Sequence, residues 1–364
     1  MKIKMKILLF IDSLGSGGAQ RQMVTLAKIF QNLKYEVSFL VYHKEDFFKA
    51  QLDELNIHVN YILEPNPILR IWKIRRFIRA GDYSTVISFL DTPNFINCIS
   101  AIGDRNWKVV TSERSAKRSF FSSKKGKLFG WFQRYSDTIV CNSNNAKAMW
   151  EQHYPNYINK LSVIYNPVIL PEITSEYIPK QNGKLHIVVA ASYQYLKNPI
   201  GLIKALALLN EEEREKIEVN WYGSLSFGNA KTNAYQHALK LIKEFDLLRV
   251  ISLNPATIDI ANKMNEADVV ALFSKLEGLP NAICEGMMIG KPIMMTKVSD
   301  YAVLVDDSNG VLCDWKNPDN IKEALVKTIN LSIEDLKLLG QASKEKAAEL
   351  FLKENIANQW INKF

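Results

Sequence analysis

Residues 268–286 read DVVALFSKLEGLPNAICEG, from Asp268 to Gly286. The apolar run Asp268 to Leu272 has the length of a buried strand, and a turn containing Gly278 and Pro280 follows it. Pro280 suits a helix start, because its missing N–H would have no intrahelical acceptor there. Strand, glycine turn and helix in this order form the repeating unit of a parallel sheet covered by helices.

The same alternation extends in both directions. Around this stretch, Leu185 to Ala190, Ile217 to Tyr222, Val250 to Leu253 and Pro292 to Met295 read as further strands, with helices expected from Pro199 to Leu209 and near Thr232 to Phe245. Nearer the N-terminus, strands are expected at Lys6 to Ile11, Val37 to Tyr42, Thr85 to Phe89, Lys108 to Thr111 and Thr138 to Cys141. Met23, Leu26, Ala27 and Phe30 follow the i, i+3, i+4, i+7 spacing of an amphipathic helix, and Asn94 to Ile102 and Asn144 to Gln152 are expected helices. Pro167, Pro171 and Pro179 interrupt the pattern. The expected organisation is therefore an α/β domain over 1–170, a linker over 171–183 and a second α/β domain over 184–349. No short-period repeat is present, so the doubling is architectural.

A chain of 364 residues suits two hydrophobic cores of ordinary size, and 47% hydrophobic against 23% charged residues is the composition of a globular enzyme. Cys98, Cys141, Cys284 and Cys313 show no paired spacing, so neither a zinc site nor a disulfide framework is expected and a cytoplasmic setting fits. The apolar run Ile7 to Ile11 ends at Asp12, which is short for an export signal, and it reads as a first buried strand. No apolar stretch has the length of a membrane-spanning helix, so association with a membrane is expected only from its surface, at the inner face of the cytoplasmic membrane.

The net charge of +8 is uneven. Residues 1–170 hold 24 Lys+Arg against 13 Asp+Glu, leaving 22 against 25 for the remainder. Such a basic half suits an anionic membrane, a phosphorylated lipid or nucleic acid. Lys117 to Arg134 interleaves Lys124, Lys125 and Lys127 with Phe120, Phe121, Phe129 and Trp131, and Ile68 to Ala80 adds Trp72, Arg76 and other cations. Two readings stay open: an interfacial surface for anionic headgroups, or core aromatics beneath solvated charges.

Candidate chemistry falls in loops after strands, where open parallel sheets bind ligands. Gly15-Ser16-Gly17-Gly18 leads into a helix, so Gly17 and Gly18 either admit a phosphate or serve a tight turn. Glu277 and Glu285 are separated by seven residues, which puts one carboxylate in the loop and one in the early helix. Carboxylates accept hydrogen bonds from vicinal diols, and a helix start accommodates diphosphate charge; the alternative is a solvated loop acid and a helix-favouring acid. Lys197 is either a phosphate ligand or a surface charge. Asp91, Glu113 and Arg114 sit at expected strand ends, where they orient an acceptor hydroxyl or form a structural ion pair. No D-x-D pair occurs, so no metal site is expected.

The pair Glu277 and Glu285, with the Gly278-Leu279-Pro280-Asn281 turn, Ala282, Gly286 and Gly290-Lys291-Pro292, closely resembles the signature of retaining family 4 glycosyltransferases. Gly17-Gly18-Ala19-Gln20, Ser112-Glu113-Arg114 and Tyr165-Asn166-Pro167-Val168 extend the resemblance along nearly the whole chain. It implies the GT-B fold, two Rossmann-like domains facing across a cleft, with a C-terminal helix over 350–364 completing the first. It also implies a nucleotide-sugar donor as co-substrate without a separate cofactor, held by Gly17, Gly18, Lys197, Glu277, Gly278, Leu279, Pro280, Asn281 and Glu285. Glu277 and Glu113 are the expected catalytic positions; Asp91, Arg114, Lys124, Lys125 and Trp131 belong to the acceptor or membrane side. One departure stands out: the family commonly has an Arg where this chain has Ser192.

The expected reaction is metal-independent transfer, with retention of configuration, of a hexose or N-acetylhexosamine from a UDP-sugar to a saccharide acceptor, such as a lipid-linked surface-glycan intermediate. The rivals are a sugar-nucleotide epimerase on the same fold and a non-enzymatic nucleic-acid-binding protein. No recognised nucleic-acid motif supports the latter, so no nucleic-acid partner is expected.

Overall fold

The computed structural model describes residues 5–114, 118–179, 183–227, 230–231 and 233–364. Lys117, Thr232 and residues 180–182 of the expected linker lie outside the described residues. Two compact units divide the chain: Met1–Pro167 with Lys353–Phe364, and Val168–Leu352.

The first unit holds a parallel sheet of β1 (Lys6–Phe10), β2 (Glu36–Val41), β3 (His58–Tyr61), β4 (Thr85–Phe89), β5 (Lys108–Glu113), β6 (Thr138–Cys141) and β7 (Leu161–Val163). Their order across the sheet is β3-β2-β1-β4-β5-β6-β7. Strand order reverses between β1 and β4, which pair in parallel with Ile7 opposite Thr85. β1 and β4 are almost wholly buried, as strands covered by helices on both faces must be. The Gly18–Asn32 helix follows β1 and buries Met23, Leu26, Ala27 and Phe30, the stripe its spacing predicts.

The second unit repeats the plan with β8 (Leu185–Ala190), β9 (Ile217–Gly223), a small antiparallel pair β10 (Ser226–Phe227) and β11 (Ala230–Lys231), β12 (Ile251–Pro255), β13 (Val269–Leu272), β14 (Ile293–Thr296) and β15 (Gly310–Cys313). Its main sheet runs β12-β9-β8-β13-β14-β15, so order reverses between β8 and β13. Its core gathers Leu185, Ile187, Val189, Tyr193, Trp221 and Val269 with apolar faces of the flanking helices.

Short strands escape a periodicity argument. His58–Tyr61 and Leu161–Val163 form the two edges of the first sheet and are only partly buried, so neither shows a sustained apolar run. The described part of the proline-rich stretch packs against the second unit. Thr174 and Ser175 donate backbone N–H bonds to Asn262 Oδ1 at 2.8 and 3.0 Å, and Tyr177 donates to Asp268 Oδ1 at 2.9 Å. The buried Lys291 ammonium sits 3.4 Å from the Tyr177 ring centroid. Near the C-terminus, Leu352 breaks the chain between the Ile333–Phe351 and Lys353–Ile361 helices, so the final helix starts three residues after Leu350. Its Trp360 stacks on Phe89, while Phe364 meets Phe30 and Tyr35 edge-on.

One contact fixes the helix that carries Glu285. The Asn281–Ile289 helix lies so close to β13 that a Cβ at Gly286 would come within 2.8 Å of Val270 Cβ. Gly286→Ala should therefore destabilise the protein by about 1–3 kcal/mol, although alanine favours helices by ~1 kcal/mol over glycine. Nothing lies within 4 Å of a Cβ at Gly18, so Gly18→Ala should be neutral or stabilising. Denaturant unfolding of the two variants checks this, and equal effects would remove the close-approach explanation.

Candidate active site

In the second unit, two loops that leave adjacent strands are tied together. β8 is followed by Ala191 to Asn198, and β13 by Phe273 to Pro280. The Lys275 backbone N–H donates to Leu196 O at 2.8 Å, and Lys197 Nζ donates to Glu277 Oε1 at 2.5 Å. Ser274 Oγ donates to the same carboxylate oxygen at 2.6 Å. The side chains of Lys197 and Glu277 are only 21% and 10% exposed, so this ion pair is shielded without being sealed. Charge-assisted bonds of this kind contribute about 1.5–3 kcal/mol when retained.

The neighbouring geometry explains why the pair forms. Gly223 allows close approach to the end of β8: a Cβ there would come within 2.0 Å of Ala191 O. Buried Tyr193 donates from its hydroxyl toward Trp221 O and Asn254 O at 2.8 and 2.7 Å, which pins the loop floor. Asn198 adopts a left-handed conformation (φ 62°) and starts the Pro199–Ala207 helix, so Lys197 is held just before a fixed corner. On the other loop, Thr296 Oγ1 donates to Ser274 O at 2.6 Å, and Ser299 Oγ donates to Gly278 O. Ser299, itself left-handed (φ 55°), was invisible to a motif search because its role comes from β14 returning beside β13.

Leu279 and Pro280 are buried and Asn281 opens the next helix. Pro280 O accepts backbone N–H bonds from Ile283 and Cys284 at 3.0 and 3.1 Å. Pro280, at the N-cap, makes no side-chain cap bond, and the positive end of the helix dipole lies at this start. Half-buried Glu285 lies on the following turn. The structure thus gathers Lys197, Glu277, Gly278 and the helix start carrying Asn281 and Glu285 around the end of β8 and β13. Ser192 is half-buried and accepts from Gln194 Nε2 at 2.7 Å, so a neutral side-chain pair stands where the resemblance expects an Arg.

The first unit presents a different set. Gly17 is the N-cap of the Gly18–Asn32 helix and is exposed beside Gly18 at the end of β1. Asp91 opens the Asp91–Ser100 helix after β4, across the reversal point from those glycines. Just behind it, Asp12 accepts from Gln20 Nε2 at 3.0 Å; burial raises its pKa, opposed by bonds from Ser13 and Gln20. Glu113 is buried at the end of β5.

Arg114 is anchored inward. Its guanidinium lies 4.4 Å from the Phe89 ring centroid, donates to Ser112 Oγ at 3.3 Å and bonds to Asn166 Oδ1. Burial pulls its pKa down to about 9, with Glu113 pulling it back, so it stays charged at neutral pH. Two separate sequence motifs, Ser112-Glu113-Arg114 and Tyr165-Asn166-Pro167, therefore meet through this one side chain. Lys124, Lys125 and Trp131 lie elsewhere on the unit and are exposed.

The comparisons with known proteins agree with this geometry. Residues 16–170 match the sequence family described as Glycosyltransferase Family 4, and residues 172–346 match Glycosyl transferases group 1. The chain is 27% identical to the N-acetylgalactosamine-N,N'-diacetylbacillosaminyl-diphospho-undecaprenol 4-alpha-N-acetylgalactosaminyltransferase of Campylobacter jejuni, with 97% of each chain covered. An uncharacterized glycosyltransferase of Haemophilus influenzae is 25% identical, with 98% of each chain covered. Among solved structures, Anabaena Alr3699/HepE in complex with UDP shares the fold at a TM-score of 0.84, with 18% identity and coverage of 98% of this chain and 99% of that one. With one glycosyltransferase match in each half and a Lys197–Glu277 site where the second sheet reverses its strand order, this chain belongs to the family 4 glycosyltransferases of the GT-B fold.

Proposed function

We propose that the chain transfers an N-acetylhexosamine or hexose from a UDP-sugar to a lipid-linked saccharide, with retention of configuration and without a metal ion, at the inner face of the cytoplasmic membrane. The observation that carries this reading is the Lys197–Glu277–Ser274 cluster just before the start of the Asn281–Ile289 helix. Two relatives support the acceptor class: the Campylobacter transferase above, and a second from the same organism, 24% identical, whose name specifies a diNAcBac-PP-undecaprenol acceptor.

Each residue then has a distinct task. The positive dipole end at the start of the Asn281–Ile289 helix and the Lys197 ammonium meet the diphosphate, a fixed positive field at the charge of the departing group. Glu277 accepts hydrogen bonds from donor-sugar hydroxyls, and Glu285 from the ribose diol. Among the described residues both side-chain bonds to Glu277 converge on Oε1. Donor arrival therefore shifts Lys197 from Glu277 toward the diphosphate and gives the carboxylate to the sugar. With Ser192 supplying no charge, Lys197 bears more of the electrostatic load than it would beside an arginine. Leaving-group departure on the same face as acceptor attack yields retention, through an oxocarbenium-like transition state, with no covalent nucleophile assigned.

Thermal unfolding with UDP, GDP, UDP-sugars and NAD tests the donor. A ligand at a hundred times its dissociation constant adds roughly 2.7 kcal/mol, a shift of several degrees. UDP should stabilise the wild type but not Glu285→Ala. Lys197→Met should weaken UDP binding about tenfold or more, the loss of one charge-assisted bond. Glu277→Gln should leave UDP binding in place while turnover falls about 100- to 1000-fold. Stabilisation by NAD alone would overturn the reading. For the stereochemistry, NMR of the first product formed from an α-linked UDP-sugar should show an α-glycoside, and a β-glycoside would rule out retention.

A further inference from the structure

We propose that the outward faces of the Pro67–Ala80 and Lys124–Phe132 helices form a docking surface for an anionic lipid bilayer. The two helices belong to the β3-to-β4 and β5-to-β6 connections, which step the same way along the first sheet. Right-handed crossovers place both on the same face of that sheet. Between them lies the Asp91–Ser100 helix, every residue of which is buried or half-buried, so the two flanking helices form the outer ridges.

Each ridge separates its side chains by task. On the Pro67–Ala80 helix, Ile74 and Ile78 enter the core. Arg75 and Arg79 turn to the end of the neighbouring helix: Arg75 bonds to Ile99 O and, at 2.9 Å, to Ile102 O, while Arg79 reaches Ser100 O at 3.2 Å and Asp104 O at 2.8 Å. The outer face keeps Ile68 (78% exposed), Leu69 and Trp72 (54% exposed) beside Arg76 and Lys73. Lys73 is paired with Glu64 at 2.5 Å, and Arg76 is exposed beside Trp72.

On the second ridge, Phe129 stacks on Phe95 at 4.1 Å and Phe121 joins the core, whereas Lys124, Lys127, Leu128 (51% exposed) and Trp131 (43% exposed) share one outer stripe. Arg134 lies 3.7 Å from the Trp131 ring centroid and Arg76 lies 5.6 Å from that of Trp72, so each exposed indole has a cation over it.

The charge selects the occupant. Residues 65–80 carry five basic and no acidic residues, and so do residues 118–135. Exposed indoles and aliphatic tips ringed by cations match an anionic interface, where rings enter the headgroup layer and ammonium and guanidinium groups meet phosphates. A surface of this kind also suits the lipid-linked acceptor proposed above, but its test uses neither donor nor acceptor.

Sedimentation with vesicles of phosphatidylcholine, alone or mixed with phosphatidylglycerol, decides it. Wild-type protein should bind only the anionic vesicles, and less at high salt. Each nearby Lys contributes about fivefold to partitioning, so the double variant Lys124→Ser, Lys127→Ser should bind about 25-fold less, while Lys337→Ser on the second unit binds as wild type. Trp72→Ser with Trp131→Ser should also weaken binding. The lysine variants should keep the wild-type melting temperature, which separates loss of docking from loss of fold. Absence of vesicle binding, equal binding to both vesicle types, or wild-type binding by the lysine double variant would overturn the proposal. So would a dimer that the tryptophan variants dissociate without any vesicle binding, since the face would then belong to a second copy.

Discussion

The Lys197–Glu277 ion pair joins loops from β8 and β13, two strands that are neighbours in space but are separated in the chain by β9 to β12. That adjacency is a consequence of topology. Strand order runs outward one way from β8 through β9 and the other way through β13, so β8 and β13 meet at the reversal point, where open parallel sheets bind ligands beyond the carboxyl ends of their strands. A lysine and a glutamate placed there meet with their side chains shielded but still partly exposed. The pair contributes to the fold and stays accessible to a ligand for the same reason.

The first unit has the same reversal between β1 and β4, and it places different chemistry there. Its β1 loop offers glycines and a helix N-terminus, and its β4 loop begins a helix with Asp91. Behind the next loop, Arg114 is committed to Ser112, Asn166 and the Phe89 ring. A guanidinium held by three separate contacts acts as a brace between the end of β5 and the end of the unit near Pro167. The two units therefore share a scaffold rule while differing in function: one presents a charged pair at its reversal point, the other small residues and a carboxylate.

Much of this was legible in the sequence because the buried central strands are dominated by apolar residues. Ile7 to Phe10, Val86 to Phe89, Ile187 to Val189 and Val269 to Leu272 are all central and all buried. Edge strands were not legible, since His58–Tyr61 and Leu161–Val163 are short and half-exposed. The acidic pair and its glycine turn were recognisable as a local pattern. Ser299 and the brace role of Arg114 were not, because each depends on a contact across the sheet that local spacing does not encode. The break at Leu352 was also hidden: the residues around it suit a helix, and the interruption coincides with passage from one compact unit to the other.

The basic excess of the first half is likewise resolved only when each cation is followed to its contacts. Arg105 forms a two-pronged pair with Asp137, whose carboxylate also takes the Val109 N–H; this lowers the Asp137 pKa against the opposing effect of burial. Arg75 and Arg79 satisfy carbonyls at the end of a helix, where positive charge also complements the helix dipole. These cations serve the fold, and removing them would expose unsatisfied carbonyls rather than weaken a binding surface. Lys124, Lys127 and Arg76 differ in kind, since they stand on outer helix faces next to exposed apolar side chains. The charge asymmetry is thus two populations superimposed, one internal and structural, the other external and arranged beside exposed indoles, and only the second bears on what the surface meets.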